Sequence, residues 1–537
     1  MMKRRDFFKL VSSLGVGVPF YLNGMPTRLM NQISDLQLDC DAVNDRVLVI
    51  FRLTGANDGL NTVIPIDQYD TYSALRPTIK ILNSGTGSYI PLDTTVGSAK
   101  LVGLHPALTG FKSLYDSGKL LLLNGVGYPK PNYSHFRGEA LMFAGKDGTY
   151  NDDLLEGTFG KYFATLHPGL AGNPSAEKPD PLAIQLGDIS PCLFYEHAIE
   201  KGIEFNMYNY ENTLTTLSSQ KSDYQELLDY IQKVAVSMDI YYDRVMQVFN
   251  SGNNSSVTYP DTSLGKQLKI IARMINGGSK TRIFQVNLSG FDTHQYQASY
   301  GNTHLGTHAN LLQNVGNSVA AFQEDIQQLG LADRIMMVSF SEFGRQIREN
   351  ANQGTDHGDL APFFVIGNAV EAGILGDHPV FSNTTDFYYN QDQRRYDYRQ
   401  IYGALLQDWL GSTTNLMQNI ELDHFVTGAQ KIDIIKNSQK AGTVCSETGN
   451  SNVIVQKGIK IYPVPASQFI YIELEGQSQS EVNYQIFDMS GRVVSQGTEN
   501  FFSTRLEINV SSLSKGHYII KLKTNSTNFS GKIIITH

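Results

Sequence analysis

Five apolar runs constrain this chain more than any other feature: "RVLVIFRL" (46–53), "KLLLLNGVG" (119–127), "TRIFQVNLSG" (281–290), "RIMMVSFSEFG" (334–344) and "APFFVIG" (361–367). Each is continuous rather than alternating, so a strand made from it must be covered on both faces, as in a parallel sheet. Between them lie stretches of helical spacing. Leu108, Phe111, Leu114 and Tyr115 share one face, as do Leu312, Val315, Val319 and Phe322, and "YRQIYGALLQDWLG" ends on a C-capping Gly411. Strand, helix, strand in repetition predicts a doubly wound α/β domain with a mostly parallel sheet, in which ligands sit beyond the carboxyl ends of the strands.

Four polar clusters follow these runs. They are Asn57 and Asp58 in "TGANDGLN"; Ser134, His135 and Arg137 in "PNYSHFRGEA"; Asp292 and His294 in "GFDTHQ"; and Glu342, Arg345, Asp356 and His357 in "SEFGR…GTDHG". A parallel sheet would gather all four at one edge. Carboxylates and imidazoles suit a divalent ion such as zinc or manganese, one or two in number. Two such ions about 3.5–4 Å apart can clamp the attacking and leaving oxygens of a phosphoryl-type displacement. Ser134, at a helix start, is placed to act as nucleophile or anion ligand, and Arg137 to contact a phosphate or sulfate group. The Asp-His dipeptide recurs at Asp377–His378 and Asp423–His424, but only Asp356–His357 follows an apolar strand with Glu342 and Arg345 between. Each residue alone reads as well as a cap or a turn; their joint position carries the expectation.

The remaining sequence bounds the function. Three cysteines (Cys40, Cys192, Cys445) supply neither a disulfide framework nor a cysteine zinc site. A net charge of −9 argues against nucleic acid as the main partner. Beyond the N-terminal segment, no stretch has the roughly 18 apolar residues that span a bilayer. The segment 150–280 is less regular, with a long helical region near 222–249, and reads as an inserted helical subdomain. A small, polar stretch at 436–455 reads as a linker. Beyond it, alternation with turns at Ser490-Gly491 and Lys515-Gly516 predicts a small all-β sandwich over 456–537.

Three resemblances add to this reading. "MMKRRDFFKLVSSLGVGVPFYL" looks like a twin-arginine export signal, placed at 1–30. "IYPVPAS", "IFDMSGRVV" and "LSKGHYIIKL" resemble the C-terminal sorting domain of the type IX secretion system of Bacteroidetes. That resemblance implies contact with the secretion machinery, passage through the periplasm, and arrival at the cell surface or outside it. "VIFRLTGANDGLNTVIP", "NGVGYPKPNYSHFRGEA", "GFDTHQ", "SFSEFGRQIREN…GTDHGDLAPFFVIG" and "YRQIYGALLQDWLG" resemble the family called domain of unknown function 1501, across roughly 45–425 and within a domain placed at 40–435. That family is assigned to the alkaline phosphatase and sulfatase superfamily, an α/β fold holding two metals. The resemblance implies one metal corner of Asp58, Asp356, His357 and nucleophile-like Ser134, and another of Asp292 and His294, with His378 or His308 completing it. No Cys-x-Pro-x-Arg turn is present, so formylglycine sulfatase action is not expected. The expectation is an exported metal-dependent hydrolase of an anionic ester or polymer. The alternative is an inactive surface-displayed binding or assembly protein with the same fold.

Overall fold

The computed structural model describes residues 45–151, 154, 157–166, 180–187, 241–381 and 385–441. It also describes short strands near 20–30 and 195–204 and the strands of the C-terminal domain between 459 and 535. The expected export signal, apart from its short strands, the linker at 442–455 and the helical region 222–240 lie outside the described residues; 241–250 is helical.

Four of the apolar runs form β1 (Val47–Thr54), β2 (Leu120–Gly127), β4 (Ile283–Ser289) and β5 (Ile335–Phe340), and the run at 361–367 forms a later strand. β3 (Ala183–Leu186) is not an expected strand, since it lies in the segment read as an inserted helical subdomain yet joins the central sheet. After them come the short pair β6 (Gly344–Arg345) and β7 (His357–Gly358), then β8 (Ala361–Ile366), β9 (Gly373–Leu375) and β10 (Tyr396–Asp397). The sheet runs β3-β4-β1-β5-β8-β2-β9, with β10 pairing the end of β2 and Met25–Met30 antiparallel outside β3. Strands β3, β4, β1 and β5 are mutually parallel. β8 is antiparallel to both β5 and β2, so β2 regains the common direction, as do β9 and β10 beside it. The reversal at β8 has a local cause: the connection from β5 contains no crossover helix, which a parallel neighbour would need. It returns through the β6–β7 pair and starts β8 at the same edge where the other strands end.

Burial on both faces shows why the runs are continuous. In β1, Val47, Val49, Phe51 and Leu53 join one core with helices α1 (Thr109–Asp116), α4 (Ser263–Asn276) and α5 (Thr307–Gln328). Leu48 and Ile50 join the opposite core with α2 (His135–Phe143), α3 (Thr158–Leu166) and α6 (Tyr398–Ala404). Successive strand residues point to opposite sides, so both registers must be apolar. Burying each such side chain contributes roughly 1.5–3 kcal/mol, and a charged residue at Val49 or Ile50 would cost at least that.

The chain divides into two compact units, Met1–Cys445 and Ser446–His537. The second consists of a three-stranded sheet (Ile459–Tyr462, Phe469–Leu474, Arg505–Asn509) and a four-stranded sheet (Ser480–Asp488, Val493–Phe501, Gly516–Lys523, Asn528–Ile535), both antiparallel. Ile470 and Ile508 from one sheet, and Ile486, Ile520 and Leu522 from the other, are buried. Among the described residues no helix is long and apolar enough to cross a membrane.

Candidate metal centre

Strands β1, β4 and β5 end at nearly one level, with Thr54 opposite Ser289 and Arg52 opposite Phe340. The loops that follow are drawn together by close backbone approach. Gly55, at φ +110°, lies so near Asp292 that an added Cβ would sit 2.4 Å from its backbone nitrogen. Gly354 meets the His294 backbone in the same way, at 2.3 Å. A side chain at either position would push the loops apart.

Arg345 holds these loops from within. Its guanidinium, with a side-chain exposure of 0%, donates to the carbonyls of Gly55, Ala56, Phe291 and Thr355 and, at 2.6 Å, to Asp292 Oδ1. β6 and β7 place Arg345 directly across from His357. Burial alone would raise Asp292, but the hydrogen bond and charge of Arg345, with His294 and His135 adding, hold its carboxyl at about 2.

Three imidazoles surround that carboxylate. His135, the first residue of α2, is 3.3 Å from Asp292 Oδ1 through Nε2; His294 Nε2 is at 3.0 Å and His357 Nε2 at 3.4 Å. Each ring has its other nitrogen on an oxygen. His135 Nδ1 meets Glu342 Oε1 at 2.7 Å, His294 Nδ1 meets Asp356 Oδ1 at 2.8 Å, and His357 Nδ1 meets the Tyr133 carbonyl at 2.6 Å. Carboxylate and carbonyl oxygens only accept, so each Nδ1 carries a hydrogen, and a ring in its neutral form presents Nε2 as a lone pair. His294 Nε2 and His357 Nε2 face each other at 2.9 Å, and His135 Nε2 is buried without a hydrogen bond. Two facing lone pairs and a third orphaned one call for a cation among them, either a proton or a metal ion. The Nε2 atoms of His135 and His357 and an Asp292 oxygen lie within 4.8 Å of one another, the spacing of a ligand set. The donors fit: neutral imidazoles and one carboxylate, each imidazole backed by an oxygen that fixes its tautomer. Asp292 is 47% exposed, so the centre opens to solvent.

The surroundings set the protonation of the rings. The hydrogen bond that His135 donates to Glu342 raises His135 above its ordinary value, whereas burial lowers His357. Asp356 is lowered: its hydrogen bonds from Asn350 and His294 outweigh a burial effect that raises it. Glu342 also accepts from the Gly55 N–H at 2.9 Å, which ties the His135 partner to the β1 loop.

The other expected residues lie elsewhere. Asp58 is not brought into the cluster. Its two oxygens receive Arg76 Nη1 at 2.8 and 2.7 Å and one also receives Gln297 Nε2 at 2.7 Å, with Asp58 and Arg76 wholly buried. Burial would raise Asp58, but Arg76 and His308 bring it below the usual carboxylate range. Asp356 stands behind His294 rather than beside His357. Asn57 Oδ1 pairs with His308 Nε2 at 3.0 Å in the interior, and His378 is buried with Nδ1 on the Pro379 carbonyl at 2.8 Å. Arg137 donates to the Tyr150 carbonyl at 2.6 Å. Ser134 is exposed, in extended conformation at the start of α2, and its side chain makes no capping bond. Arg76, Gln297, Asn350 and Tyr133 were not singled out by sequence reasoning, since none sits in a motif or strand-end cluster of its own.

The family model described as "Protein of unknown function (DUF1501)" matches residues 204–421, and that of the "Secretion system C-terminal sorting domain" matches 460–536. The chain carries a DUF1501 domain and a C-terminal sorting domain. The sorting domain indicates export to the cell surface or the extracellular space. No curated protein matches the chain in sequence. Among solved structures, dimeric latent PorU from Porphyromonas gingivalis is 20% identical with a TM-score of 0.13; the match covers 14% of this chain and 9% of PorU. The PsFucS1 sulfatase from Pseudoalteromonas sp. is 9% identical (TM-score 0.30; 87% of this chain and 84% of that one). The lipoteichoic acid synthase LtaP from Listeria monocytogenes is 11% identical (TM-score 0.24; 66% and 70%). At such scores the α/β class rests on the strand order of the chain itself.

Proposed function

We propose that this exported protein is a metal-dependent hydrolase of anionic esters, of the phosphate or sulfate class, built around one divalent ion held by His135, Asp292, His357 and His294. The observation that supports it is the convergence of three oxygen-backed imidazoles on one carboxylate. Three nitrogens to one oxygen favour zinc over manganese. The reading is mononuclear, because the carboxylate expected at a second ion, Asp58, already has Arg76 as its cation. The class of ester comes from the sequence resemblance. A bound ion would supply Lewis acidity toward an ester oxygen. The chain's own residues do the rest: Arg345 fixes Asp292 and the loops, Asp356 and Glu342 orient His294 and His135, and Ser134 stands exposed beside His135 as nucleophile or anion ligand.

The test is metal content of the purified full chain by mass spectrometry, with activity on phosphomonoester, phosphodiester and sulfate-ester panels. We expect near-stoichiometric zinc in the wild type and loss of it in His135→Ala and His357→Ala. Ser134→Ala should keep the metal and lose turnover. Metal content near zero in the wild type, or unchanged in both histidine variants, would overturn the reading. One observation favours a second reading, a metal-free binding protein: Arg345 already occupies Asp292 Oδ1 at 2.6 Å. A proton shared by His294 and His357 would then replace the ion, and the same metal measurement decides between the two.

A further inference from the structure

In a chain of net charge −9, one open groove of about 740 Å³ carries the opposite balance: Arg394, Arg395, Arg399 and Lys431 against Asp397 and Asp433. Both acids are already matched. Asp397 accepts from Arg399 Nε and Nη2 at 2.9 and 2.8 Å, and Asp433 receives Lys440 Nζ at 2.5 Å. Lys431 is shared with Asp408 at 3.0 Å. Arg394 and Arg395 have no carboxylate partner among the described residues. Two such arginines of one groove lining are a place for ligand anions.

The groove and the metal centre are built from neighbouring stretches of chain. Its wall is β10, which pairs with β2 at Val126 and Gly127, and Arg395 N–H donates to the Gly125 carbonyl at 2.9 Å. Gly127 has no room for a side chain: an added Cβ would lie 2.8 Å from Leu360 Cδ2, 3.1 Å from the Asp359 carbonyl and 3.8 Å from Arg394 Cδ. Arg394 and the backbone two residues beyond His357 therefore pack around the same glycine. From there the chain passes Pro129, in the groove lining, to Tyr133 and His135 of the centre.

We propose that this groove binds an acidic polysaccharide, a sugar chain bearing sulfate or carboxylate groups, and presents one of its anionic groups to the metal centre. The second clause rests on the hydrolase reading; the binding itself does not. The charges are few, spaced and interleaved with acids, which suits a sparsely charged polymer. Duplex nucleic acid carries about one charge per 1.7 Å and needs a continuous basic face. Tyr396 and Phe425 line the groove half-buried, with Arg399 over one face of the Phe425 ring, and aromatic surface of this kind packs against the C–H side of a sugar. Export to the cell surface or beyond brings the protein to such polymers.

The test is fluorescence anisotropy of fluorescein-labelled dextran sulfate titrated with the full-length protein, in chelator and without it. We expect saturable binding that weakens with salt, no binding of neutral dextran, and at least about tenfold weaker binding by Arg394→Gln/Arg395→Gln. Binding should persist in chelator, which separates the groove from the centre, and Lys112→Gln, which removes a cation of α1 paired with Asp116, should bind as the wild type does. Several results would overturn the proposal: a double variant within about twofold of wild type, an equal loss of binding in Lys112→Gln, or duplex DNA displacing the polysaccharide at equal charge. Polymer binding without metal or hydrolysis would sink the hydrolase reading and leave the groove standing.

Discussion

The buried pair of Asp58 and Arg76 yields a quantitative prediction about which carboxylates serve the metal. Both side chains are at 0% exposure, and Arg76 also donates to the carbonyls of Ile347 at 3.0 Å and Gln346 at 2.7 Å. Arg76→Met would seal a carboxylate in the interior with Gln297 as its remaining side-chain donor. Breaking a buried pair from one side costs about 3–5 kcal/mol, a large share of a typical total of about 5–15 kcal/mol. Asp58→Asn should cost less, about 3 kcal/mol at most, because the guanidinium keeps its carbonyl acceptors. The double variant should be more stable than the sum of the singles implies, by more than about 1.5 kcal/mol. Urea unfolding can be followed by the single tryptophan, Trp409, which is fully buried in the α/β unit and stacked under Arg46. Metal content should be unchanged in Asp58→Asn. If Asp58→Asn keeps wild-type stability but loses its metal, the assignment of Asp58 to a structural ion pair is wrong.

Two further outcomes follow from the same geometry. Asp356→Asn removes the charge behind His294 without removing a ligand, so metal affinity should fall about 10–100-fold by isothermal titration while the urea midpoint barely moves; complete loss of metal would make Asp356 itself a ligand. Burial holds His105 at about 3 and His308 and His378 at about 4, all below the ordinary 6.5. As pH falls below about 6.5 the unfolded chain takes up protons that these folded-state rings refuse, so stability present above that pH is lost progressively toward pH 4. At pH 5 the loss is roughly 2 kcal/mol for each ring. A urea midpoint that is flat from pH 7 to 5 would contradict it.

The positions of the five apolar-run strands were legible in the sequence, because two-sided burial forces continuous apolar runs and their ends are where polarity begins. Of the four polar clusters, side chains from three meet at Asp292, while Asn57 and Asp58 of the first turn to interior partners. Partnership within the edge was not legible. Asp356 and His357 are chain neighbours and were expected as joint ligands. In an extended segment successive side chains diverge, so His357 turns to Asp292 while Asp356 meets His294. Asp58 looked like a ligand because it follows β1, yet its cation comes from Arg76, in "SALRPT", where no spacing or motif marks a charge that will be buried. His135 was secondary in the sequence because a histidine beside a helix start packs locally more often than it ligates. The bond that its Nδ1 donates to Glu342, 207 residues away, turns its Nε2 into the centre.

The Arg345 guanidinium joins carbonyls from three separated loops, at Gly55–Ala56, Phe291 and Thr355. Any one loop lifting away would leave a charge in the interior short of acceptors, so these loops should open together or not at all. In hydrogen exchange, amides around the centre, such as Phe291, Thr355 and Gln346, would then share one opening free energy close to that of β1 and β5. A site that opens only with the sheet behaves as part of the core, and its adaptability must come from the exposed side chains at its rim.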